Sequence, residues 1–256
     1  SPGRLPVVEA DVRGGGGGGH LDVLRWLKGA GCPVGPTICS QAALGGHLGI
    51  LQWARSNNIR WNHQTTAAAV SGGHQAILEW ARENGCYWKA KCCGQAARWG
   101  RFTMLKWLRM NGCPWDRSTC YEAAIAGQLD ILKWLRAGPE EEDMCPWNER
   151  ACHGAALAGH LHILVWLRSN DCPWDADVTK WAVVGGHLDL LKWAWANGCP
   201  MKHDLVPLAA VGGHVRVRRW LRQLEAEAKQ KAAAAAAGGS AGGGGGGGEA
   251  AGAGVL

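Results

Sequence analysis

A tryptophan returns at a nearly fixed interval along most of this 256-residue chain. Its recurring copies are Trp26, Trp53, Trp80, Trp107, Trp134, Trp166, Trp193 and Trp220. Neighbouring copies lie 27 residues apart, except for one interval of 32 residues. Because this period is too long for a heptad pattern, it indicates a stack of similar supersecondary units.

Each unit is predicted to form two helices. Ser118 or Thr119 is a candidate N-cap, Ala123-Ala124 allow close helix contact, and Gly127 ends the first helix. The apolar residues that follow are spaced by threes and fours, which predicts a second helix with one buried face. They are Leu129, Ile131, Leu132, Trp134 and Leu135. By this register we expect the recurring tryptophans to lie in the core.

The end of the second helix carries a recurring turn signal. The position of Gly112 is occupied only by residues that tolerate a left-handed backbone. The equivalent residues are Gly31, Asn58, Gly85, Asp171 and Gly198. A proline follows in several copies and prevents the helix from continuing.

The frame A-A-x-x-G-H-L-x-I-L-x-W-L-R-x-N-G-C-P-W-D resembles the ankyrin repeat over residues 19–222. That family has T-P-L-H-x-A-A before G-H-L, and G-A-D-V-N after it, in a period of 33 residues. Here Trp replaces a helix leucine, Cys-Pro-Trp-Asp replaces Ala-Asp-Val-Asn, and the period is shorter. The missing residues fall in the hairpin between repeats. The resemblance therefore implies an all-α, ankyrin-like helix-turn-helix solenoid with truncated inter-repeat hairpins.

Composition divides the chain into three regions. We expect a low-complexity N-terminus over 1–18, a solenoid of a half repeat plus seven repeats over 19–230, and an Ala/Gly-rich disordered tail over 231–256. An acidic insertion near 138–143 explains the longer interval. Residues 215–230 are predicted to form a longer, basic capping helix whose arginines face water. These are Arg216, Arg218, Arg219 and Arg222.

Cysteine and histidine follow the repeat rather than a catalytic pattern. The eleven cysteines recur in register, too far apart for one tetrahedral metal site, so packed thiols are favoured over metal binding or disulfides. The hinge histidines are predicted to bond neighbouring backbone, with Arg101 and Gln128 in the same slot of two copies. No nucleophile motif appears, so we expect a non-enzymatic protein with no cofactor, no metal site and no small-molecule substrate.

Localisation is predicted from the absence of signals. No apolar run approaches the length of a membrane span and no leader is visible, so we expect no membrane association. Free thiols then favour a reducing intracellular compartment, cytoplasmic or nuclear. The chain starts Ser1-Pro2 without Met, so an incomplete N-terminus stays open.

Candidate binding residues are those that vary while the frame stays fixed. In ankyrin-type binders the pair before Gly-His points into the concave groove, so the resemblance implies this role for Arg98-Trp99, where other copies hold small or aliphatic residues. Tryptophan and arginine are also the side chains most enriched at binding hot spots. The complete predicted set is Arg98, Trp99, Arg101, Lys89, Lys91, Tyr121 and Trp181.

The sequence therefore favours a protein-interaction scaffold whose groove binds a protein partner, an acidic segment with an apolar anchor. One alternative is nucleic-acid association through residues 82–117, which contain the excess positive charge. We expect it less, because the net charge of +6 is modest and stacking aromatics are not arrayed. Another is a substrate-recognition arm of a larger protein whose effector domain lies outside this chain.

Overall fold

The computed structural model describes residues 19–137 and 144–239, which contain fifteen α-helices and no strand. In chain order these are α1 (Leu21–Gly29), α2 (Thr37–Gly45), α3 (Leu48–Ser56), α4 (His63–Gly72), α5 (Gln75–Glu83), α6 (Lys91–Arg98), α7 (Phe102–Met110), α8 (Arg117–Ile125), α9 (Leu129–Leu135), α10 (Glu149–Ala158), α11 (Leu161–Ser169), α12 (Asp177–Gly185), α13 (Leu188–Ala196), α14 (Leu205–Val211) and α15 (Val215–Gly239). The all-α prediction is confirmed. The predictions for residues 1–18, 138–143 and 240–256 concern segments outside the described residues.

Helices alternate between two roles. Up to Lys202, even-numbered helices are the first of each repeat, and they pack side by side in the row α2, α4, α6, α8, α10 and α12. Each also packs on the odd-numbered helix that follows it. The alanine pairs lie at these contacts, and Ala96, Ala97, Ala123 and Ala124 are completely buried. Links such as 111–116 are too short for a β-hairpin and contain none, as the shortened period predicted.

The hinge between the two helices of a repeat is fixed by the next repeat. His74 Nε2 lies 3.1 Å from the Leu44 carbonyl oxygen, and His187 Nε2 lies 3.1 Å from that of Leu157. The hinge glycine makes room for this contact, since a Cβ on Gly46 would lie 2.7 Å from His74 Cε1. Its φ of +84° also favours glycine. The predicted bond between hinge histidine and neighbouring backbone is thus confirmed for His74 and His187.

The predicted turn after the second helix is also confirmed. Gly112 has a φ of +75°, and the two residues that replace glycine, Asn58 and Asp171, have φ of +56° and +60°. Asn and Asp tolerate this region because their short side chains can bond locally. The links that contain Gly112, Asn58 and Asp171 therefore turn at the position predicted from the sequence.

The predicted N-cap was wrong by two or three residues. In α8 the cap is Asp116, whose side chain accepts a hydrogen bond of 2.9 Å from the Ser118 backbone nitrogen. Asn62 and Asn148 cap α4 and α10 in the same way. Thr119 lies inside the helix and is buried. In these three helices the Asp or Asn that ends the link, rather than the hydroxyl residue behind it, supplies the acceptor.

The recurring tryptophans are not core residues, which corrects the prediction from helix register. Leu78 and Leu105 of the second helices are completely buried, whereas Trp80 and Trp107 are only partly buried. Trp107 instead meets the link residue Trp88 edge to face, with ring centroids 5.9 Å apart. The same pairing recurs in four other copies. The prediction that the link tryptophans pack between repeats is therefore confirmed.

After Lys202, α14 and α15 pack together as a second compact unit. Val217 and Leu221 are buried, while Arg216, Arg219 and Arg222 are exposed as predicted. Arg218 differs, because it is partly buried. The helix continues through the alanine run to Gly239. No described helix, α15 included, combines the length and apolar character that crossing a membrane requires.

Candidate functional site

A groove of about 540 Å³ opens at the start of three adjacent first helices. We call it the α6–α8 groove, and it is lined by His63, Lys89, Ala90, Lys91, Gly94, Gln95, Asp116, Ser118 and Glu122. Lys91 and Gln95 lie one helical turn apart on α6, so they share a face. Gly94 forms part of the wall, and a Cβ there would lie 3.6 Å from Glu122 Cγ. The next repeat has Tyr121 at this frame position, so glycine helps to keep the groove open.

Positive charge collects on one side of this groove because one capping residue is replaced. Lys89 occupies the frame position that Asn62, Asp116 and Asn148 occupy in other repeats, and α6 consequently has no side-chain cap. Lys89 and Lys91 are both exposed. Desolvation lowers the pKa of His63, and the charges of these two lysines lower it further. Lys89, Lys91 and His63 are therefore close enough for the lysine charges to influence the imidazole.

The acidic groups of the groove have other partners. Glu122 Oε2 lies 2.7 Å from Arg98 Nη1, which joins α8 to α6. Asp116 accepts the capping hydrogen bond and a second one from the Ser118 hydroxyl. Among the described residues, no ion pair involves Lys89 or Lys91. Their positive charge is thus left for a ligand or for solvent.

Trp99 lies at the end of α6 and is 57% exposed. Its indole Nε1 donates a hydrogen bond of 3.1 Å to Gln95 Oε1. That oxygen also accepts a bond of 3.0 Å from the Ser71 hydroxyl of the preceding repeat. The hydrogen bond therefore favours one orientation of the ring while much of its surface faces solvent. Arg98 precedes it and is half exposed, even with Glu122 as its partner.

Arg101 performs the task of a hinge histidine. Its Nη2 donates a hydrogen bond of 2.7 Å to the Ser71 carbonyl oxygen, which is the contact that His74 makes with Leu44. The side chain is partly buried and its Nε has no hydrogen-bond partner. Arg101 thus connects two repeats. Among the predicted binding residues, Arg101 therefore has the clearest structural role.

The two remaining candidates, Tyr121 and Trp181, lie at different distances from α6 along the row of first helices. Tyr121 is on α8, next to α6, and is partly buried beneath Arg150, whose Cζ is 5.3 Å from the ring centroid. Trp181 is on α12, with Lys180 Nζ 5.0 Å from its ring. The structure therefore places Lys89, Lys91, Arg98 and Trp99 on α6 and the link before it. Tyr121 instead packs towards α10, where a Cβ on Gly154 would lie 3.1 Å from its ring, and Trp181 lies farther along the row.

Sequence reasoning missed the residues that organise this region. Gln95 orients Trp99, Glu122 pairs with Arg98, and His63 faces the two lysines. Gln95 and Glu122 share one frame position in consecutive repeats, where other copies hold Gln41, Ala68, Gly154 and Trp181. Variation at that position was the available signal.

The thiols are built into the repeat contacts. All eleven cysteines are free, and all except Cys32 are buried. Cys86 Sγ donates to the Asn62 carbonyl oxygen at 3.4 Å, and Cys199 makes the same bond to Asp175. Burial raises the pKa of Cys199 to about 11, which disfavours the reactive thiolate. The packed-thiol prediction is confirmed. In residues 19–137 and 144–239, no three His, Cys, Asp or Glu side chains are grouped to hold a metal ion.

No protein-family model matches the sequence, and no curated protein matches it. Among solved structures, the human ASB11 ankyrin repeat domain is similar to this chain at a TM-score of 0.47 and 19% identity. The match covers 66% of this chain and 85% of that one. This likeness concerns the fold, and the functional conclusions below rest on the residues themselves.

Proposed function

We propose that this protein is a non-enzymatic interaction scaffold that binds an acidic protein segment through the face formed by α6 and α8. The orientation of Trp99 carries the proposal. An exposed tryptophan fixed by Gln95 loses little conformational freedom on binding, so its apolar surface is suited to anchor a partner. Arg98, Lys89 and Lys91 on the same side supply charge complementary to acidic residues.

The placement of the other cations weighs against the nucleic-acid alternative. Arg82 and Arg109 stack on the link tryptophans of their repeats, each with Cζ 3.9 Å from a ring centroid. Arg101 bonds the backbone, and Lys106 lies over Phe102. A nucleic-acid surface instead needs cations that are free to meet phosphates. Several cations of the basic stretch 82–117 are already engaged by rings or backbone of this protein, which favours a local site for a protein segment.

Affinity capture tests the proposal. The wild-type protein is compared with Arg98→Ala/Trp99→Ala, and Trp195→Ala is the matched control because Trp195 is 46% exposed on α13. We expect the double variant to lose partners that the control retains. For a purified partner, Trp99→Ala alone should weaken binding by about 2 kcal/mol, roughly 30-fold, as for a typical hot spot.

Gln95→Ala adds a test of orientation. It leaves Trp99 in place but removes the acceptor of its indole N–H, so we expect weaker binding than wild type and stronger binding than Trp99→Ala. Far-ultraviolet circular dichroism must show all variants equally helical. Identical partner sets for wild type and the double variant would refute the proposal. Binding that falls steeply with salt and ignores Trp99 would instead support the nucleic-acid alternative.

A further inference from the structure

One side of the α6–α8 groove carries basic groups that the protein itself does not neutralise. We call His63, Lys89 and Lys91 the cationic rim; all three line the groove. Neither lysine forms an ion pair among the described residues. His63 contacts the Tyr87 hydroxyl, with Nδ1 3.4 Å from Oη and the ring centroids 5.7 Å apart. Two lysine charges without an ion pair, beside an imidazole that can donate a hydrogen bond, make this side of the groove suited to an anion.

We propose that the cationic rim binds the phosphate group of a phosphorylated serine or threonine in the partner segment. This inference rests on the proposed function, because the segment is the one anchored at Trp99. A phosphate monoester is close to a dianion at neutral pH and offers three acceptor oxygens. Its two charges and three acceptor oxygens match the two lysines and the histidine that line this groove, whereas a carboxylate brings one charge and two oxygens.

The opposite side of the groove limits how many anions can enter. Asp116 and Glu122 line it, and their own hydrogen bonds and ion pair hold them there. A second phosphate near them would meet like charge in a partly enclosed space. The charges lining the α6–α8 groove are thus matched to one phosphorylated residue of the acidic segment.

Titration of the His63 ring with inorganic phosphate tests the rim directly. The charges that face His63 are those of Lys89 and Lys91, and they lower its pKa. A bound dianion offsets both, so we expect phosphate to raise the pKa of His63 and the shift to saturate. The ring signals are followed by NMR at constant ionic strength and identified with His63→Gln. A titration with acetate, a monoanion, at the same ionic strength is the control.

The control variants separate binding from general charge effects. Lys89→Met/Lys91→Met should move the saturable shift to higher phosphate concentrations, while Lys192→Met, which removes an exposed lysine on α13, should leave it unchanged. Exposed charge pairs contribute at most about fivefold each, so the double variant should weaken phosphate binding by roughly tenfold. An equal response to acetate, an unchanged response in the double variant, or no response would overturn the proposal.

A peptide experiment then distinguishes this proposal from the function on which it rests. A degenerate peptide library with a fixed central phosphoserine is compared with copies containing serine or glutamate there. We expect selective retention of the phosphoserine copy, lost in Lys89→Met/Lys91→Met. Equal retention of all three copies, with binding still dependent on Trp99, would refute the phosphate site and leave the scaffold function standing. Retention of the phosphoserine copy that is unchanged in Trp99→Ala would instead refute the anchoring of the segment at Trp99, on which the proposed function rests.

Discussion

Arg101→Ala should destabilise the protein, because this side chain joins two repeats. The substitution removes the hydrogen bond of 2.7 Å to the Ser71 carbonyl oxygen. Hydrogen bonds from charged groups contribute about 1.5–3 kcal/mol. Part of that is offset in the wild type by the buried Nε that has no partner. We therefore expect a net loss of about 1–2 kcal/mol in the free energy of unfolding.

Arg101→His is the informative companion. It installs the residue that makes the equivalent contact at His74, and it removes the unpartnered Nε. Its stability should lie within about 1 kcal/mol of wild type, since a neutral hydrogen bond replaces a charged one. Urea unfolding followed by circular dichroism gives the midpoints, with Lys133→Ala as an exposed charge-removal control. Partner capture by Arg101→His should match that of wild type.

Two results would refute this reasoning. If Arg101→Ala and Arg101→His unfold at the same urea concentration as wild type, the contact with Ser71 contributes nothing to repeat packing. If Arg101→His is stable but loses the partner, Arg101 is a binding residue, as the sequence first suggested. An unchanged slope of the unfolding transition is required for the comparison, because the slope reports the surface exposed on unfolding.

Three further predictions concern the frame. Asp116→Ala should cost about 1 kcal/mol in urea unfolding by removing the α8 cap, and Asp116→Asn should restore most of it. Gly46→Ala should lower the thermal midpoint clearly, because its φ is +84° and the new Cβ would meet His74. Burial raises the pKa of Cys39 from 9.0 to about 11, so its contribution to unfolding free energy is full below pH 9 and is lost towards pH 11. Urea titrations across that range, compared with Cys39→Ala, measure it.

The sequence predicted the backbone conformation of the turns correctly, but it did not predict how deeply the recurring tryptophans are buried. The link positions of Asn58 and Asp171 were predictable because few residues tolerate a left-handed backbone, whatever surrounds them. The depth of Trp107 was not predictable from helix register. Register gives the direction of a side chain, but Leu105 fills the centre and Trp107 packs on Trp88 at the flank. Depth depends on which neighbour already occupies the space.

The candidate site shows the same division. Exposure at Arg98 and Trp99 could be inferred, since a large pair stands where other repeats have small residues. Their partners could not, because Glu122 belongs to the next repeat and Ser71 to the preceding one. Such contacts depend on the lateral offset between stacked helices. That offset is set by packing along the whole row of first helices, so the sequence of a single repeat does not reveal it.

The variant stretch around α6 consequently combines two kinds of change. Arg101 replaces the hinge histidine of other repeats but still bonds the backbone of the preceding repeat, so the packing between repeats is kept. At Lys89 and Trp99 new side chains replace a cap and a small residue without taking over their structural roles. A residue that gives up a structural role without a structural gain points to an external partner. The strongest evidence for binding is therefore the lost cap at Lys89 together with the exposed, fixed ring of Trp99.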